Sequence, residues 1–337
     1  MQGRGDAVLN QPTLTRRTLA AGLVLGPALL RSTVASAQLV WRPSRPIRML
    51  VPYTPGGGAD TTARLLAGPM GAALGQPIVV ENRPGAGGSI GAAEVARARP
   101  DGHTLMCDAS AHVVNPALLH GLTFDYATAF TPISQVSVIP MIVLVPAKAR
   151  VGTLAELVRD LKARPGQPYG SAGNATAPHM AAVLFLARAG AEATHVPYRG
   201  GSAALPDLIG GNLSFVFGTV AYAVELVRQG QAKALGVTSR ERLESLPDVP
   251  TIAEQGYPGY ELNEWNGLYG PAGLPAPVTT AIHAAAKQAL ADPQVKERLA
   301  ALGAIGAGTD SDAFTGFLVE QRALMAQLVR EHNIGLD

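Results

Sequence analysis

The chain has 337 residues, 47% of them hydrophobic and 15% charged, with a formal net charge of +2. That length holds one large domain or two modest lobes, and the composition excludes a disordered or collagen-like chain. So small a net charge gives no electrostatic basis for nucleic-acid binding, and no nucleic-acid partner is expected.

The first element is a leader. Thr15-Arg16-Arg17-Thr18-Leu19 sets paired arginines before an apolar run from Ala20 to Leu30. Ala35-Ser36-Ala37 then supplies the small-x-small pattern that a signal peptidase accepts. Residues 1–37 therefore read as a signal peptide cut after Ala37, of the twin-arginine type, and the chain as a protein exported to the periplasm. The leader carries Arg4, Arg16, Arg17 and Arg31 against Asp6, a net of +3. Taking it from +2 leaves the exported chain near −1. The apolar run is too short to span a bilayer comfortably, and no later stretch is long enough.

From Ile47 the pattern alternates strand, loop and helix. Ile47–Val51, Ile78–Val80 and Thr104–Cys107 are short β-rich runs. Between them lie a helix from Thr61 to Leu74, with Asp60 as its N-cap and Gly75 as its stop, and a second helix ending near Arg97. This βαβαβ series implies a parallel sheet. Cys107, the single cysteine, falls in the third run, where it reads as an inert core thiol; it can form no internal disulfide.

A continuous apolar strand, Met141–Val145, opens a second series. Thr153-Leu154-Ala155-Glu156 is a capping box, as is Thr251-Ile252-Ala253-Glu254. Between them the spacing predicts strands at Tyr169–Ser171, Thr194–Val196, Phe215–Phe217 and Ala234–Val237. The helices expected there are Ala177–Ala189, Ser202–Ile209 and Tyr222–Arg228. The tail is helical over Val278–Leu290, Pro293–Leu302 and Asp312–Glu331. The expected fold class is α/β: two lobes sharing crossover strands, with ligand loops at the carboxyl ends of the strands.

The loops at those ends are rich in glycine and small polar residues. Tyr53-Thr54-Pro55-Gly56-Gly57-Gly58-Ala59-Asp60 joins the first strand to the first helix. Three glycines free backbone N–H groups where the helix dipole favours an anion. Gly85-Ala86-Gly87-Gly88-Ser89-Ile90 lacks the third glycine of a dinucleotide fingerprint, and no P-loop is present. In the second series, Gly170-Ser171-Ala172-Gly173-Asn174 offers hydroxyl, amide and backbone donors before a helix whose first turn holds His179. Pro197-Tyr198-Arg199-Gly200-Gly201 is the equivalent loop one unit on, where Tyr198 can stack on a ligand and Arg199 can clamp a carboxylate. Trp265 either walls the cleft or fills the core. The seven histidines are scattered, with no H-E-x-x-H and no C-x-x-C, so no metal or cofactor is expected.

Together these segments resemble the Bug family, the substrate-binding receptors of tripartite tricarboxylate transporters. The resemblance rests on Val51–Asp60, Val80-Glu81-Asn82-Arg83-Pro84-Gly85-Ala86-Gly87-Gly88, Pro100-Asp101-Gly102-His103-Thr104-Leu105 and Asn115-Pro116. It continues through Tyr169–Gly173, His179, Pro197–Gly201, Leu246–Thr251 and Glu264-Trp265-Asn266-Gly267. It implies a type II periplasmic binding protein with a central cleft: residues 38–140 plus 265–337 as lobe 1 and 141–264 as lobe 2. It also implies the ligand-binding residues. Lobe 1 would supply Tyr53, Gly57, Gly58, Ala59 and Ser110; lobe 2 would supply Ser171, Ala172, Asn174, His179, Tyr198, Gly200 and Thr219. Asn174-Ala175-Thr176-Ala177-Pro178 departs from the family's more usual Gly/Ser-rich stretch, and Arg199 stands where many relatives have lysine.

The function expected is a monomeric, non-enzymatic receptor that captures a small organic carboxylate between its lobes and delivers it to membrane permease subunits. Two alternatives use the same cleft. One is an enzyme acting on a carboxylate, whose nominal acid–base candidates are His179 and Asp60. The other is an orphan sensing receptor without a permease.

Overall fold

The computed structural model describes residues 41–335; the predicted leader and its cleavage site lie outside them. In chain order the elements begin with β1 (Ile47–Val51), α1 (Gly58–Leu74), β2 (Ile78–Asn82), α2 (Ser89–Ala96), β3 (Thr104–Ala109), α3 (Ala111–Leu118) and β4 (Phe130–Ile139). The middle of the chain forms β5 (Met141–Pro146), α4 (Leu154–Ala163), β6 (Gln167–Ser171), α5 (Ala177–Ala189), β7 (Ala193–Pro197), α6 (Leu205–Gly210), β8 (Phe215–Thr219), α7 (Val220–Arg228) and β9 (Ala232–Val237). The last stretch forms β10 (Glu264–Pro271), α8 (Ala276–Ala291), α9 (Pro293–Ala301), β11 (Ile305–Gly306) and α10 (Ser311–Glu331).

Two sheets result, in the orders β11-β4-β10-β3-β1-β2 and β7-β6-β8-β5-β9. β1 is parallel to β2 and β3, and β6 is parallel to β7 and β8, as βαβ connections require. β10 runs antiparallel to both β3 and β4, and β5 antiparallel to both β8 and β9. The chain leaves the first sheet at Ile139 and enters the second at Met141, with only Pro140 between. It returns at Glu264, which is the cross-strand partner of Ile139. The two crossings therefore lie side by side. Thr238 braces them: its amide donates to Met141 O at 2.9 Å, and its hydroxyl accepts from the Met141 amide and donates to Asn263 Oδ1, both at 2.8 Å.

Central strands such as β1, β3, β5 and β8 are buried on both faces, which is why they read as near-continuous apolar runs, while the edge strands β2 and β7 are partly exposed. One face of the first sheet packs Met49, Val51, Cys107 and Leu268 against Ala63, Leu66 and Met70 of α1 and Ile282 of α8. Its other face sets Met106, Tyr269 and Trp265 against Phe314 and Leu318 of α10. Trp265 meets Phe314 and Phe317 edge-on at 5.9 and 5.4 Å and is 2% exposed. It therefore packs as a core residue, and it also lines the narrow pocket beside Ser110.

Several expectations shift in detail. Helix α1 begins at Gly58 with Gly57 as N-cap, not at Asp60. Asp60 works from inside the first turn, accepting the Gly56 amide at 2.9 Å. The helix expected from Ser202 divides into a 3-10 turn, Gly201–Ala204, and α6, because Pro206 has no amide to continue the ladder. Both capping boxes form as read. Glu156 N–H meets Thr153 Oγ1 at 3.2 Å and Glu254 N–H meets Thr251 Oγ1 at 3.0 Å, with the glutamate side chains reaching back.

Candidate functional site

On the first sheet, β1 and β3 end beside one another and their following loops meet. Glycine is demanded at one approach: Gly88, at φ +95°, lies where a Cβ would sit 3.3 Å from the Tyr53 ring. The Tyr53 hydroxyl donates to Asp108 Oδ1 at 2.6 Å. Burial and the Asp108 charge push that phenol far above its ordinary range, so it remains a neutral donor. Asp108 also accepts the Ala109 amide at 2.8 Å and meets His112 Nδ1 at 2.9 Å. His112 stacks on Tyr269 with ring centroids 4.2 Å apart. Next along, the Ser110 and Trp265 amides both donate to Glu264 Oε1 at 3.2 Å.

Helix α1 starts above these strand ends. Gly57 supplies no side-chain cap, so the first-turn amides of Gly58 and Ala59 point out of the helix start without that acceptor. Gly57 and Gly58 are exposed and Ala59 is buried. Asp60 is engaged elsewhere: Arg64 Nε at 3.0 Å, Asn82 Nδ2 at 2.8 Å and the Gly56 amide hold it. Burial alone would raise its carboxyl, but these donors outweigh burial and keep it below the usual range. It braces the loop and offers no free base.

On the second sheet, the β6 and β7 ends are laced together. Tyr198 N–H donates to Ser171 O at 3.1 Å and Gly200 N–H to Ala172 O at 3.3 Å. Ser171 Oγ lies 2.6 Å from His195 Nε2 and 3.0 Å from Gly173 O. One consistent assignment has the hydroxyl donating to the carbonyl while the imidazole N–H donates to Oγ. His179 Nδ1 accepts the Ala175 amide at 3.0 Å, so its proton sits on Nε2. The two imidazoles stack at 3.7 Å and 8°. Burial, and the neighbouring His195, lower His179 to about 3; burial lowers His195 to about 4. Both rings are neutral at neutral pH, which leaves His179 poorly suited to donate or carry a proton catalytically. The Tyr198 hydroxyl is spent on Asp207 Oδ2 at 2.6 Å. Thr219 is the N-cap of α7. Beside it Tyr222 packs where Cβ atoms on Gly201 and Gly218 would lie 2.5 and 2.6 Å away, so these two glycines let the β8 end and the Gly200 loop close on one ring.

Ala175 holds φ +57°, a left-handed conformation that costs a residue with a Cβ about 1 kcal/mol or more. Ala175→Gly is expected to raise stability by about 1 kcal/mol in denaturant unfolding. A loss of stability would show that the alanine methyl is favourably packed.

The predicted residues therefore gather in stages. Tyr53 bonds Asp108 and Ser110 bonds Glu264, two carboxylates near enough for the charge of one to act on the other. Ser171, Ala172, Tyr198 and Gly200 share one hydrogen-bonded knot with His195, and His179 joins it by stacking on that ring. The two groups approach at the crossing. Ile139 Cδ1 is 3.8 Å from where Gly58 would carry a Cβ, and Met141 is the cross-strand partner of Thr219. Ser110 and Ala177, the first residue of α5, line one narrow pocket of about 10 Å³. Asn174 and His179 line a different cavity of about 720 Å³, which runs along α5 between Tyr169, His195 and the C-terminal residues His332–Gly335. Arg199 is exposed. Sequence reasoning did not single out Asp108, His195, Glu264 or Tyr222; the i,i+4 spacing of Asp108 and His112 was the one available signal. Among the described residues no cluster of His, Cys, Asp or Glu could hold a metal ion, and no helix is long and apolar enough to cross a membrane.

Comparison with known proteins agrees with this architecture. Protein BugT of Bordetella pertussis is 32% identical over 321 residues, covering 94% of this chain and 98% of that one. The structure of periplasmic binding protein BugD superposes with a TM-score of 0.70 at 32% identity, over 87% of this chain and 99% of that one. MatC from Rhodopseudomonas palustris, solved with bound malate, gives 0.69 at 31% identity, over 85% and 99%. The two sheets are thus the two lobes of a type II periplasmic binding protein, a receptor fold. The model of the tripartite tricarboxylate transporter family receptor matches residues 62–334, and the chain belongs to that family.

Proposed function

We propose that this receptor, freed of residues 1–37 by cleavage after Ala37, works in the periplasm as a monomer. It captures a small organic carboxylate and passes it to the permease subunits of a tripartite transporter. Lobe 1 is residues 38–140 with 265–337, and lobe 2 is residues 141–264; the strand membership of the two sheets supports that division. The observation that carries the reading is the placement of two helix starts. The first turns of α1 and α7, at Gly57 and Thr219, have no side-chain cap and flank the same crossing, one from each lobe. Backbone N–H groups there suit a carboxylate. Tyr53, Gly58, Ala59 and Ser110 would meet it from one side, and Ser171, Ala172, Gly200 and Thr219 from the other. Asn174, His179 and Tyr198 would brace the second-lobe loops. Malate in MatC is consistent with this ligand class.

A ligand that bridges the lobes stabilises the folded protein by RT ln(1 + [L]/Kd), about 2.7 kcal/mol at a hundredfold excess over Kd. Thermal melting against a panel of organic acids is expected to pick out at least one with a shift of several degrees. Shifts with sugars or metal ions alone would overturn the carboxylate assignment.

A further inference from the structure

The cavity of about 720 Å³ lies away from the helix starts that frame the carboxylate reading. It runs along α5 beside β6 and β7, and none of Gly57, Gly58, Ser110 or Thr219 lines it. Its volume falls in the range of small-molecule sites. The floor is buried, with Tyr169 2% and His179 6% exposed. The mouth is exposed, at Ala187, Glu192 and His332.

Three polar atoms on that floor are unspent among the described residues. The Tyr169 ring is stacked on Phe215 at 5.1 Å and 6°, yet its hydroxyl has no hydrogen-bond partner. Burial is the one influence on that phenol, and it raises it. The Tyr269 hydroxyl also lacks a partner but is sealed in; that of Tyr169 opens on free space, which the cavity supplies. His179 Nδ1 takes the Ala175 amide, so its Nε2 presents a proton. His195 Nε2 faces Ser171 Oγ; with the ring proton there, its Nδ1 presents a lone pair. Burial keeps both rings neutral at neutral pH. Buried polar groups are almost always paired, so three unspent ones around one cavity call for an occupant.

These atoms set the occupant's chemistry. The group they want accepts from His179 Nε2–H and donates to His195 Nδ1. A carboxylate cannot donate, and no lysine or arginine among the lining residues offsets its charge. An ammonium cannot accept. A hydroxyl does both. Val183, Leu186 and Ile334 wall the cavity with apolar surface, and the aromatic floor, where Tyr169 and His195 lie 5.1 Å apart and 30° inclined, suits a ring better than a chain.

We propose that this cavity is a second binding site, for an uncharged, phenol-like compound whose hydroxyl bonds His179, His195 and Tyr169 and whose ring lies against Val183, Leu186 and Ile334. It does not rest on the carboxylate reading of the crossing. The same two imidazoles hold Ser171 and the Ala175 amide, so an occupant would touch the support of that loop.

The test titrates phenol, anisole and benzoate into the full exported protein, by calorimetry and by following the histidine ring resonances in NMR. Phenol is expected to bind saturably and to shift the His179 and His195 resonances. Anisole, whose oxygen cannot donate, is expected to bind about tenfold or more weaker, the scale of one hydrogen bond with its buried acceptor left unpaired. Benzoate is expected not to displace phenol. Ala187→Trp, which fills the exposed mouth, is expected to weaken phenol at least about tenfold, and Tyr169→Phe, which removes one hydroxyl, about threefold. Equal melting temperatures without ligand would show both variants folded; should Ala187→Trp fail to fold, Tyr169→Phe decides alone. Phenol that leaves the two resonances unmoved up to its solubility would overturn the proposal and mark the cavity as filled by water alone. Anisole binding as tightly as phenol, benzoate displacing it, or phenol binding unchanged in the folded variants would overturn it as well.

Discussion

Lowering the pH from 7 to 5 is expected to cost this protein about 3 kcal/mol of stability, chiefly through His179 and His195. Both rings are lowered in the fold, to about 3 and about 4, from an ordinary value near 6.5. The unfolded chain therefore binds protons between pH 6.5 and about 4 that the folded protein refuses. Stability conferred by the neutral pair is complete above pH 6.5 and drains away as the pH falls through that window. At pH 5 each fully buried ring would forgo about 2 kcal/mol. The total is set lower because His195 is only half-buried and because Glu264, raised in the fold, works in the opposite direction. Asp60 and Glu81, both lowered, add their losses only below the ordinary carboxylate range. Urea unfolding at several pH values checks this. His179→Gln keeps an acceptor for the Ala175 amide and is expected to remove about half of the slope between pH 7 and 5. An unchanged slope would place the protons elsewhere.

Asp108→Ala is expected to destabilise the protein by about 4 kcal/mol and to abolish any ligand-induced melting shift. Asp108 is 2% exposed and takes three donors: the Tyr53 hydroxyl, the Ala109 amide and His112 Nδ1. Removing the acceptor strands polar groups in a region closed by Tyr126, Phe130 and Tyr269. Each unsatisfied buried donor costs about 1–3 kcal/mol. Asp108→Asn keeps an oxygen and is expected to lose about half as much. Tyr53→Phe, which removes one donor only, is expected to cost about 1 kcal/mol. If Asp108→Ala melted within a degree or two of the unaltered protein, water would be replacing the carboxylate and the network would not be sealed.

Much of this was legible in the sequence. The βα alternation, both capping boxes and the three tail helices follow from periodicity and from Thr, Asp, Gly and Pro at element ends. The antiparallel return strand β10 was not read, because Glu264–Pro271 carries two glycines and alternates only weakly. Helix α3 was missed because Ser110 alone separates it from β3 and Pro116 interrupts its pattern. Loop chemistry located Tyr53, the Gly56–Gly58 run and Ser171 at strand ends. It could not reveal which side chains those loops turn toward. Asp108, His195 and Glu264 are single polar residues inside strands or at their margins, and only tertiary pairing brings them to the site. For the same reason, nothing in the sequence separates the cavity beside Asn174 and His179 from the pocket beside Ser110.

The single residue Pro140 has a mechanical meaning. Ile139 is still paired with Glu264, and Met141 is already paired with Thr219. A link of one residue has no slack, so the halves cannot translate apart there; they can only twist about it. Any opening must turn about the two crossings, Pro140 and the return between Thr238 and Glu264, so Gly58 and Thr219, which flank them, travel little while distant loops sweep widest. A guest seated at the pivot would be gripped early and released late, with the outer rim acting as the door.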